Sequence, residues 1–287
     1  MKCWKEATSR STSSHVPTAD GHEGTVALAL TFTIIDVPGS RNTAPQGINA
    51  RGDIVGFSTD NTTNRAHGFL LSDGTFTEVN FPGFLQTAPR GINDRGDIVG
   101  QADNGTPTTA RGFLLKKGTF TLVEFPGAAI TGVFGINNAE QMVGNYIDSA
   151  GINHGFMLED GTFTSIDVPG ASQTFTFGIN DPGDIVGSYF DGSGRQHGYL
   201  LSDATFTTID VPGATATQPR DINSSGDIVG QYTSAGVTHA FVLRRGTFTT
   251  IDVPGAGATF GRGINALGDI VGNYVDSTGT HGFLATE

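Results

Sequence analysis

The stretch from Phe248 to Gly272 reads FTTIDVPGAGATFGRGINALGDIVG, and close copies of it occur six times along the chain. The phenylalanine that opens this pattern recurs every 42 to 44 residues, at Phe32, Phe76, Phe120, Phe163, Phe206 and Phe248. Repetition at this period is typical of propellers and solenoids, in which each repeat contributes a few strands or helices. The sequence therefore predicts one array of similar units.

Each unit contains four short segments rich in Ile, Val, Phe and Thr and bounded by Gly, Pro, Asn or Asp, a pattern that predicts strands joined by turns. Tight glycine hairpins join the Gly-Ile-Asn segment to Gly-Asp-Ile-Val-Gly, and His-Gly-Phe to Phe-Thr-Xaa-Ile-Asp. A longer link, such as residues 212–218, leads from the last segment to the next unit. We therefore expect an all-β, six-bladed β-propeller with four antiparallel strands per blade and Gly-Ile-Asn innermost.

The two ends of the chain predict how the ring closes. The chain stops after the sixth His-Gly-Phe segment, so the last blade lacks its outer strand, and residues 32–37 can supply it. Residues 24–287 are expected to form a single propeller domain. Residues 1–23 do not match the repeat and are rich in Ser, Thr, Lys and His, which predicts a disordered leader. This leader lacks the basic start, apolar run and small-residue cleavage site of a signal peptide.

Charge limits the classes of partner. The chain has 16 basic and 28 acidic residues and a net charge of −12. Nucleic acids and anionic membranes are bound through basic surfaces, so neither is an expected partner. The single cysteine, Cys3, cannot form a disulfide framework within the chain. We expect a monomer whose partner is a small molecule or a glycan.

The repeated motifs also resemble a known family. Units that read GIN, then GDIVG, then HGF or HAF, the latter at residues 239–241, resemble the HAF-repeat family of extracellular bacterial proteins. The resemblance covers about residues 32–284. It implies a repeat fold and export to an extracellular or periplasmic location, and it brings no catalytic residue with it.

Histidine opens the third segment in five units, and Arg111 takes its place in the second. The five are His67, His154, His197, His239 and His281. Third strands of such a ring lie roughly 16 Å apart, whereas zinc binds its ligands at about 2 Å, so these side chains cannot share a zinc ion. We expect them to be scaffold residues bonded to loop aspartates such as Asp148, Asp191 or Asp276.

A ring of asparagines near the axis has two interpretations. The six are Asn49, Asn93, Asn137, Asn180, Asn223 and Asn265. Some six-bladed lactonases and phosphotriesterases hold calcium or another divalent ion on the axis, whereas an Asn before a Gly-Asp turn caps a hairpin. We favour capping, and predict no metal or other cofactor. The aspartates of the same turns, among them Asp97, are expected to be solvated, and those of the outer strands, such as Asp210, to prevent pairing between sheet edges.

The residues before Gly-Ile-Asn differ from blade to blade, which suits recognition of an asymmetric ligand. In chain order they are Gln46, Arg90, Phe134, Phe177, Arg220 and Arg262, with Phe175 and Phe260 two positions earlier in their blades. Guanidinium groups bind carboxylate or phosphate, and aromatic rings can carry an apolar or sugar body. We predict that these residues surround the mouth of the axial channel, with the arginines opposite the phenylalanines, and bind a small amphiphilic anion. The alternative is that they only fill the channel.

Asp221 replaces the glycine of the motif in the fifth blade, beside Arg220. If the protein is an enzyme, this carboxylate is the candidate general base, with its pKa tuned by the neighbouring arginines. The sequence favours a ligand-binding propeller over an enzyme. The alternatives are a hydrolase of the lactonase or phosphotriesterase type at the same site, and a scaffold for protein or polysaccharide.

Overall fold

The computed structural model describes residues 30–287, and the predicted leader, residues 1–23, lies outside them. The described chain is almost entirely β, with 24 strands and one short 3-10 helix, Pro107–Thr109. No helix in this range has the length and apolar character needed to cross a membrane. The all-β prediction is confirmed.

The strands occupy four ranks that follow the four sequence motifs. The first rank comprises β2 (Ser40–Ile48), β6 (Gln86–Ile92), β10 (Ile130–Ile136), β14 (Gln173–Ile179), β18 (Ala216–Ile222) and β22 (Ala258–Ile264). The second comprises β3 (Ile54–Asp60), β7 (Ile98–Asp103), β11 (Met142–Ile147), β15 (Ile185–Phe190), β19 (Ile228–Ser234) and β23 (Ile270–Val275). The third comprises β4 (Ala66–Ser72), β8 (Arg111–Lys116), β12 (Asn153–Glu159), β16 (Gln196–Ser202), β20 (Val237–Arg244) and β24 (Thr280–Thr286). The fourth comprises β5 (Thr75–Val79), β9 (Thr119–Val123), β13 (Thr162–Ile166), β17 (Thr205–Ile209), β21 (Thr247–Thr250) and β1 (Thr31–Ile35).

Antiparallel hydrogen bonding joins the ranks in order, so the structure is a propeller of four-stranded antiparallel blades. Four blades are separate sheets: β6–β9, β10–β13, β14–β17 and β18–β21. The remaining strands form one eight-stranded sheet, rather than the two sheets that the repeats predict. The reason is a single parallel bridge between Asn42 and Thr280, which connects β2 to β24.

The first and last strands of the ring pair with each other. β1 lies antiparallel to β24 over its full length, from Thr31 opposite Thr286 to Ile35 opposite Gly282. The N-terminal strand thus becomes the outer neighbour of the last third-rank strand, as the motif order predicts. The pairing joins the two ends of the described chain through backbone hydrogen bonds.

Aromatic pairs between the third and fourth ranks anchor each outer strand. The ring centroids of Phe69 and Phe76 lie 5.5 Å apart in an edge-to-face arrangement, and four other third-rank strands repeat the contact with the fourth-rank strand that follows. The sixth pair, Phe32 and Phe283, connects β1 to β24 at 5.6 Å. Such a pair contributes about 0.5–1.5 kcal/mol beyond the area that it buries.

The glycine that ends the Gly-Asp-Ile-Val-Gly motif permits the close packing inside each blade. A methyl group built on Gly100 would lie 2.4 Å from the carbonyl oxygen of Ala88 and 2.8 Å from the ring of Phe113. No side chain fits at these distances. The absence of a Cβ therefore lets the third-rank aromatic ring lie across the second strand.

Four of the five histidines contact aspartate side chains, and three of them contact the predicted loop aspartates Asp148, Asp191 and Asp276. His197 Nδ1 lies 2.7 Å from Asp210 Oδ2, and its Nε2 lies 3.3 Å from Asp191 Oδ2. The imidazole also stacks on Tyr189, with ring centroids 5.2 Å apart. His154, His239 and His281 repeat the Nδ1 contact with an aspartate of the outer strand or its end. The outer-strand aspartates, which we predict to prevent pairing between edges, also fasten that strand to the third one.

Burial disfavours charge on His197, but hydrogen bonds to Asp210 and Asp191 prevail and raise the pKa of its imidazole. Asp210 also interacts electrostatically with the imidazolium. The imidazolium therefore binds its proton more tightly in the folded protein than in the unfolded chain. The stability that results is fully present below the unfolded pKa and is lost as pH rises through the folded one.

We predict that Phe32→Ala lowers the free energy of unfolding by about 3–5 kcal/mol, because it removes a buried ring from the closing strand. The matched control is Ile34→Ala on the same strand, where the side chain is 46% exposed and the loss should be near or below about 1 kcal/mol. Denaturant unfolding at equilibrium measures both. Equal losses would show that β1 does not close the ring through Phe32.

A second prediction concerns pH. The stability difference between the wild type and His197→Gln should be larger at about pH 6 than at about pH 9, because only the charged imidazole gains from its two carboxylates. Unfolding free energies at the two pH values provide the measurement. A difference that grows with pH would contradict the assigned contacts.

Candidate functional site

A β-bulge interrupts every inner strand at the same place. The register between each inner strand and its second-rank neighbour skips one residue, which is Gln46, Arg90, Phe134, Phe177, Arg220 or Arg262. A bulge bends its strand and re-aims the side chain of the extra residue. The six positions singled out from the sequence are thus the six bulge residues.

These six side chains surround one cavity of about 50 Å³ on the axis of the ring. Asp221, four inner-strand isoleucines and three glycines complete its wall, so the structure brings together most of the predicted site. Phe175 and Phe260 do not line the cavity. Phe175 packs on Phe177 with ring centroids 6.4 Å apart, and Phe260 packs on Arg262.

The phenylalanines cover the faces of the arginines. The distances from guanidinium carbon to ring centroid are 5.1 Å for Arg90 over Phe57, 5.6 Å for Arg90 over Phe134, 4.2 Å for Arg220 over Phe177 and 5.3 Å for Arg262 over Phe260. The order of the six positions around the axis is as predicted, but the arginines at the ends of the cationic arc do not stay apart from the phenylalanines. Attraction between a cation and the face of a ring draws the neighbouring side chains together instead.

Within residues 30–287, each of the three guanidinium groups bonds to one neutral side-chain oxygen and to no carboxylate. Arg90 Nη1 donates to Gln46 Oε1 at 2.9 Å, Arg220 Nη2 donates to Gln218 Oε1 at 2.6 Å, and Arg262 Nε donates to Asn273 Oδ1 at 3.2 Å. The Nε atoms of Arg90 and Arg220 are buried without a hydrogen-bond acceptor in this range. Three positive charges therefore share a small space without a paired negative charge.

Burial destabilises this arrangement. Each arginine retains some accessible surface, but that surface faces the narrow cavity, and protein surrounds the side chain. Burial lowers the pKa of Arg90 to about 10, and burial together with repulsion from Arg90 lowers the pKa of Arg262 to about 10. Burial and the charges of Arg262 and Arg90 lower the pKa of Arg220 well below its ordinary value. The site is electropositive at neutral pH, because pKa values of about 10 keep at least Arg90 and Arg262 protonated.

Asp221 stands where the other five inner strands have glycine, and its carboxylate lies between the strands on either side. Oδ1 accepts a hydrogen bond from the Ile222 N–H at 2.9 Å, and Oδ2 accepts one from the Ile264 N–H of the next inner strand at 3.0 Å. A methyl group built on Gly178 of the preceding inner strand would lie 2.9 Å from Oδ1. Burial raises the pKa of this carboxyl to about 7, although the two backbone hydrogen bonds oppose the rise. The predicted tuning of this pKa by arginines is therefore wrong.

The asparagines cap the turns and also form a closed ring. Asn93 Oδ1 accepts hydrogen bonds from the N–H groups of Arg95 and Asp97, while Nδ2 donates to the carbonyl oxygen of Asn137 at 3.3 Å. The same inter-blade bond repeats from each asparagine to the next and returns from Asn265 to Asn49. The preferred interpretation, capping, is confirmed. The carboxamide oxygens face the backbone, and no group of three or more His, Cys, Asp and Glu side chains in residues 30–287 is placed to hold a metal ion.

The turn aspartates are less solvated than predicted. Asp97 is only 4% exposed, and its Oδ2 accepts a hydrogen bond from Asn93 Nδ2 at 3.1 Å. Equivalent bonds join Asp53, Asp184, Asp227 and Asp269 to their asparagines. These carboxylates orient the carboxamides whose other hydrogen atoms bridge the blades.

Sequence reasoning missed the residues that support the arginines from the second rank. They occupy the position after Gly-Asp-Ile-Val-Gly, which varies between blades and includes Phe57 and Asn273. Gln231, at the same position, donates to Gln218 Oε1 at 2.8 Å and so fixes the acceptor of Arg220. Variation at this position was the available signal, because a purely structural position would repeat.

We predict that the stability of the wild type relative to Asp221→Gly falls as pH rises from about 4 to about 7 and is constant above that range. The folded state holds the proton of Asp221 up to about pH 7, compared with an ordinary carboxyl pKa of 3.8. The folded protein therefore binds more protons than the unfolded chain in this interval. Urea unfolding across pH provides the measurement, with Asp73→Asn in an exposed turn as the control. A flat difference would show that Asp221 titrates normally.

No protein-family model matches the sequence, and no curated protein matches it. Solved propeller structures are similar in fold. AofleA from Arthrobotrys oligospora has a TM-score of 0.56 at 11% identity, covering 94% of this chain and 88% of that one. A streptogramin B lyase has a TM-score of 0.50 at 14% identity, covering 89% and 97%. The β-propeller domain of the trilobed protease from Pyrococcus furiosus has a TM-score of 0.50 at 9% identity, covering 86% and 96%. At these identities the similarity supports the propeller fold and carries no function.

Proposed function

We propose that this chain is a six-bladed propeller that binds a small oxyanion in its axial cavity. The observation that carries the proposal is the meeting of Arg90, Arg220 and Arg262 in one cavity without a carboxylate partner in the described chain. A buried charge is costly unless it is paired and hydrogen-bonded. A bound anion would supply both the charge and the acceptors.

The count of six blades rests on the centre of the ring. Each first-rank strand lies beside two others of the same rank, and β22 returns to β2. The asparagine bonds follow the same circuit. On this basis the eight-stranded sheet serves as two blades, β2–β5 and β22–β24 with β1, whose contact through Asn42 and Thr280 is incidental.

The volume of the cavity limits the size of the ligand. The volume of about 50 Å³ leaves room for a small anion, whereas a drug-sized ligand fills a pocket of about 300 Å³ or more. A larger amphiphilic ligand or glycan would place only its anionic group here. Phe134 and Phe177 are walls in edge-to-face contact, with centroids 5.7 Å apart, rather than an open platform.

The donors suit such an anion. A guanidinium has five N–H groups, and in the described chain each of these three uses one of them on a side-chain oxygen. The remaining donors can bind several oxygens of one ligand in bidentate fashion. Because the site is partly enclosed, these bonds should be less sensitive to salt than those of an exposed pair.

Calorimetric titration with phosphate at low ionic strength tests the proposal. We expect Arg220→Gln and Arg262→Gln each to weaken binding by about 1.5–3 kcal/mol, the contribution of a hydrogen bond to a charged group. The matched control is Arg65→Gln, which makes the same change of charge at an exposed loop residue and should bind as the wild type does. If the wild type and the three variants gave the same isotherm, or if none of them bound phosphate, the arginines would only fill the channel.

The family and location stay predictions from the repeated motifs. We propose membership of the HAF-repeat family and export on the basis of the six GIN and GDIVG-type units alone. Immunodetection of the chain in periplasmic and medium fractions of a producing bacterium tests export. Retention of all the protein in the cytoplasmic fraction would contradict it.

A further inference from the structure

Asp221 places a carboxylate in a cavity that is otherwise built to attract anions. It lines the same wall as Arg90, Arg220 and Arg262, yet no salt bridge joins it to any of them within residues 30–287. If the ligand were only a set of acceptor oxygens, this carboxylate would repel it. The presence of Asp221 therefore restricts the chemistry of the ligand.

The carboxylate keeps acceptor capacity toward the cavity. An ionised carboxylate offers about four acceptor sites on its two oxygens. Two of these are used, one by the Ile222 N–H and one by the Ile264 N–H. These bonds fix the group in place between β14 and β22, at the wall of the cavity. The remaining sites need a hydrogen-bond donor.

The five other inner strands show that a carboxylate is not required by the fold. They have glycine at this position: Gly47, Gly91, Gly135, Gly178 and Gly263. A methyl group built on Gly91 would lie 2.9 Å from the carbonyl oxygen of Phe134, so the inner strands approach closely here. A side chain is accommodated in one blade only. The aspartate in this one blade is therefore a feature of the site and not a requirement of the fold.

We propose that Asp221 makes the axial cavity select oxyanions that carry a hydroxyl group, so that it takes hydrogen phosphate in preference to sulfate. The inference rests on the oxyanion-binding function proposed above and assigns the class of ligand. The anionic oxygens of hydrogen phosphate accept hydrogen bonds from the guanidinium groups, and its hydroxyl donates to Asp221. Sulfate has the same shape and accepts equally well, but it has no proton to donate.

The preference for hydrogen phosphate over sulfate follows from the carboxylate charge that sulfate would leave without a hydrogen-bond donor. A site that forms a hydrogen bond with a ligand hydroxyl rejects a ligand that lacks it, because the buried acceptor is left without a partner. With sulfate, the carboxylate would also face an anion at close range. The expected preference is about 10- to 100-fold, the effect of one hydrogen bond to a charged group.

Protonation of Asp221 should remove this preference. The titratable groups that line the cavity are Arg90 across it, Arg220 on the same strand, Arg262 on the next strand, and Asp221 itself. Gly178 packs against Asp221 from the other side and has no side chain. Burial raises the pKa of Asp221 to about 7, whereas the arginines stay charged. Below that pH the neutral carboxyl can donate a hydrogen bond, and sulfate becomes acceptable.

Titration with two pairs of anions tests the proposal. Phosphate and sulfate form one pair, and arsenate and selenate the other; within each pair the shape is the same and only the first anion carries a proton at about pH 8. The proteins are the wild type, Asp221→Gly and Asp221→Asn. Asp73→Asn is the control for loss of one charge. Asp221→Gly introduces the residue of the other five blades, which keeps the test usable if the amide variant is unstable.

The wild type and Asp73→Asn should prefer phosphate to sulfate and arsenate to selenate by about 10- to 100-fold. Asp221→Gly should lose the preference by gaining affinity for sulfate and selenate. Sulfate affinity of the wild type should fall as pH rises through about 7, and that of Asp221→Gly should not. A role of Asp221 in folding alone would weaken both members of each pair equally.

The outcomes separate the two proposals. If the wild type binds phosphate and sulfate equally, or if Asp221→Gly keeps the preference, Asp221 does not select the ligand, and the cavity is a general oxyanion site. If the wild type binds none of the four anions, both the selectivity and the oxyanion-binding function are overturned.

Discussion

The structure depends on how closely six inner strands approach one axis. At that distance a Cβ on most inner-strand glycines would contact the backbone of the neighbouring blade, as Gly91 shows. Backbone polar groups there are removed from water and need partners. The asparagine carboxamides supply them, because each satisfies its own turn and then donates to the carbonyl of the next blade. The same asparagine side chains therefore stabilise both the turns and the ring.

The bulges give this rigid centre its chemistry. A regular strand would alternate its side chains between the two faces of the blade. The extra residue in each inner strand is instead released from the ladder and reaches the cavity beside the axis. Its identity is free to differ between blades, since it does not hold the sheet together. A symmetric scaffold thereby presents an asymmetric lining of arginine, glutamine and phenylalanine.

Periodic features could be predicted from the sequence because each recurs six times along one chain. The four strand ranks, the pairing of β1 with β24 and the contact of His197 with Asp191 all follow from local patterns and their order. The bond from one asparagine to the next blade could not be predicted, because a capping motif does not show where its second amide hydrogen points. The stacking of Arg220 on Phe177 and the role of Asn273 were also missed. They depend on packing between blades, for which strand periodicity gives no distance.

The pairing of β1 with β24 also bears on how such rings change in size. The sequence repeat begins with the outer strand, whereas each blade begins with the inner one, so the two are out of phase by one strand. Any whole number of repeats would leave one lone outer strand at the start and one incomplete blade at the end, and these would always match. Pairing of the first strand with the last blade therefore does not determine how many blades the ring has. Duplication of one repeat would change the wedge angle between neighbouring inner strands at the axis.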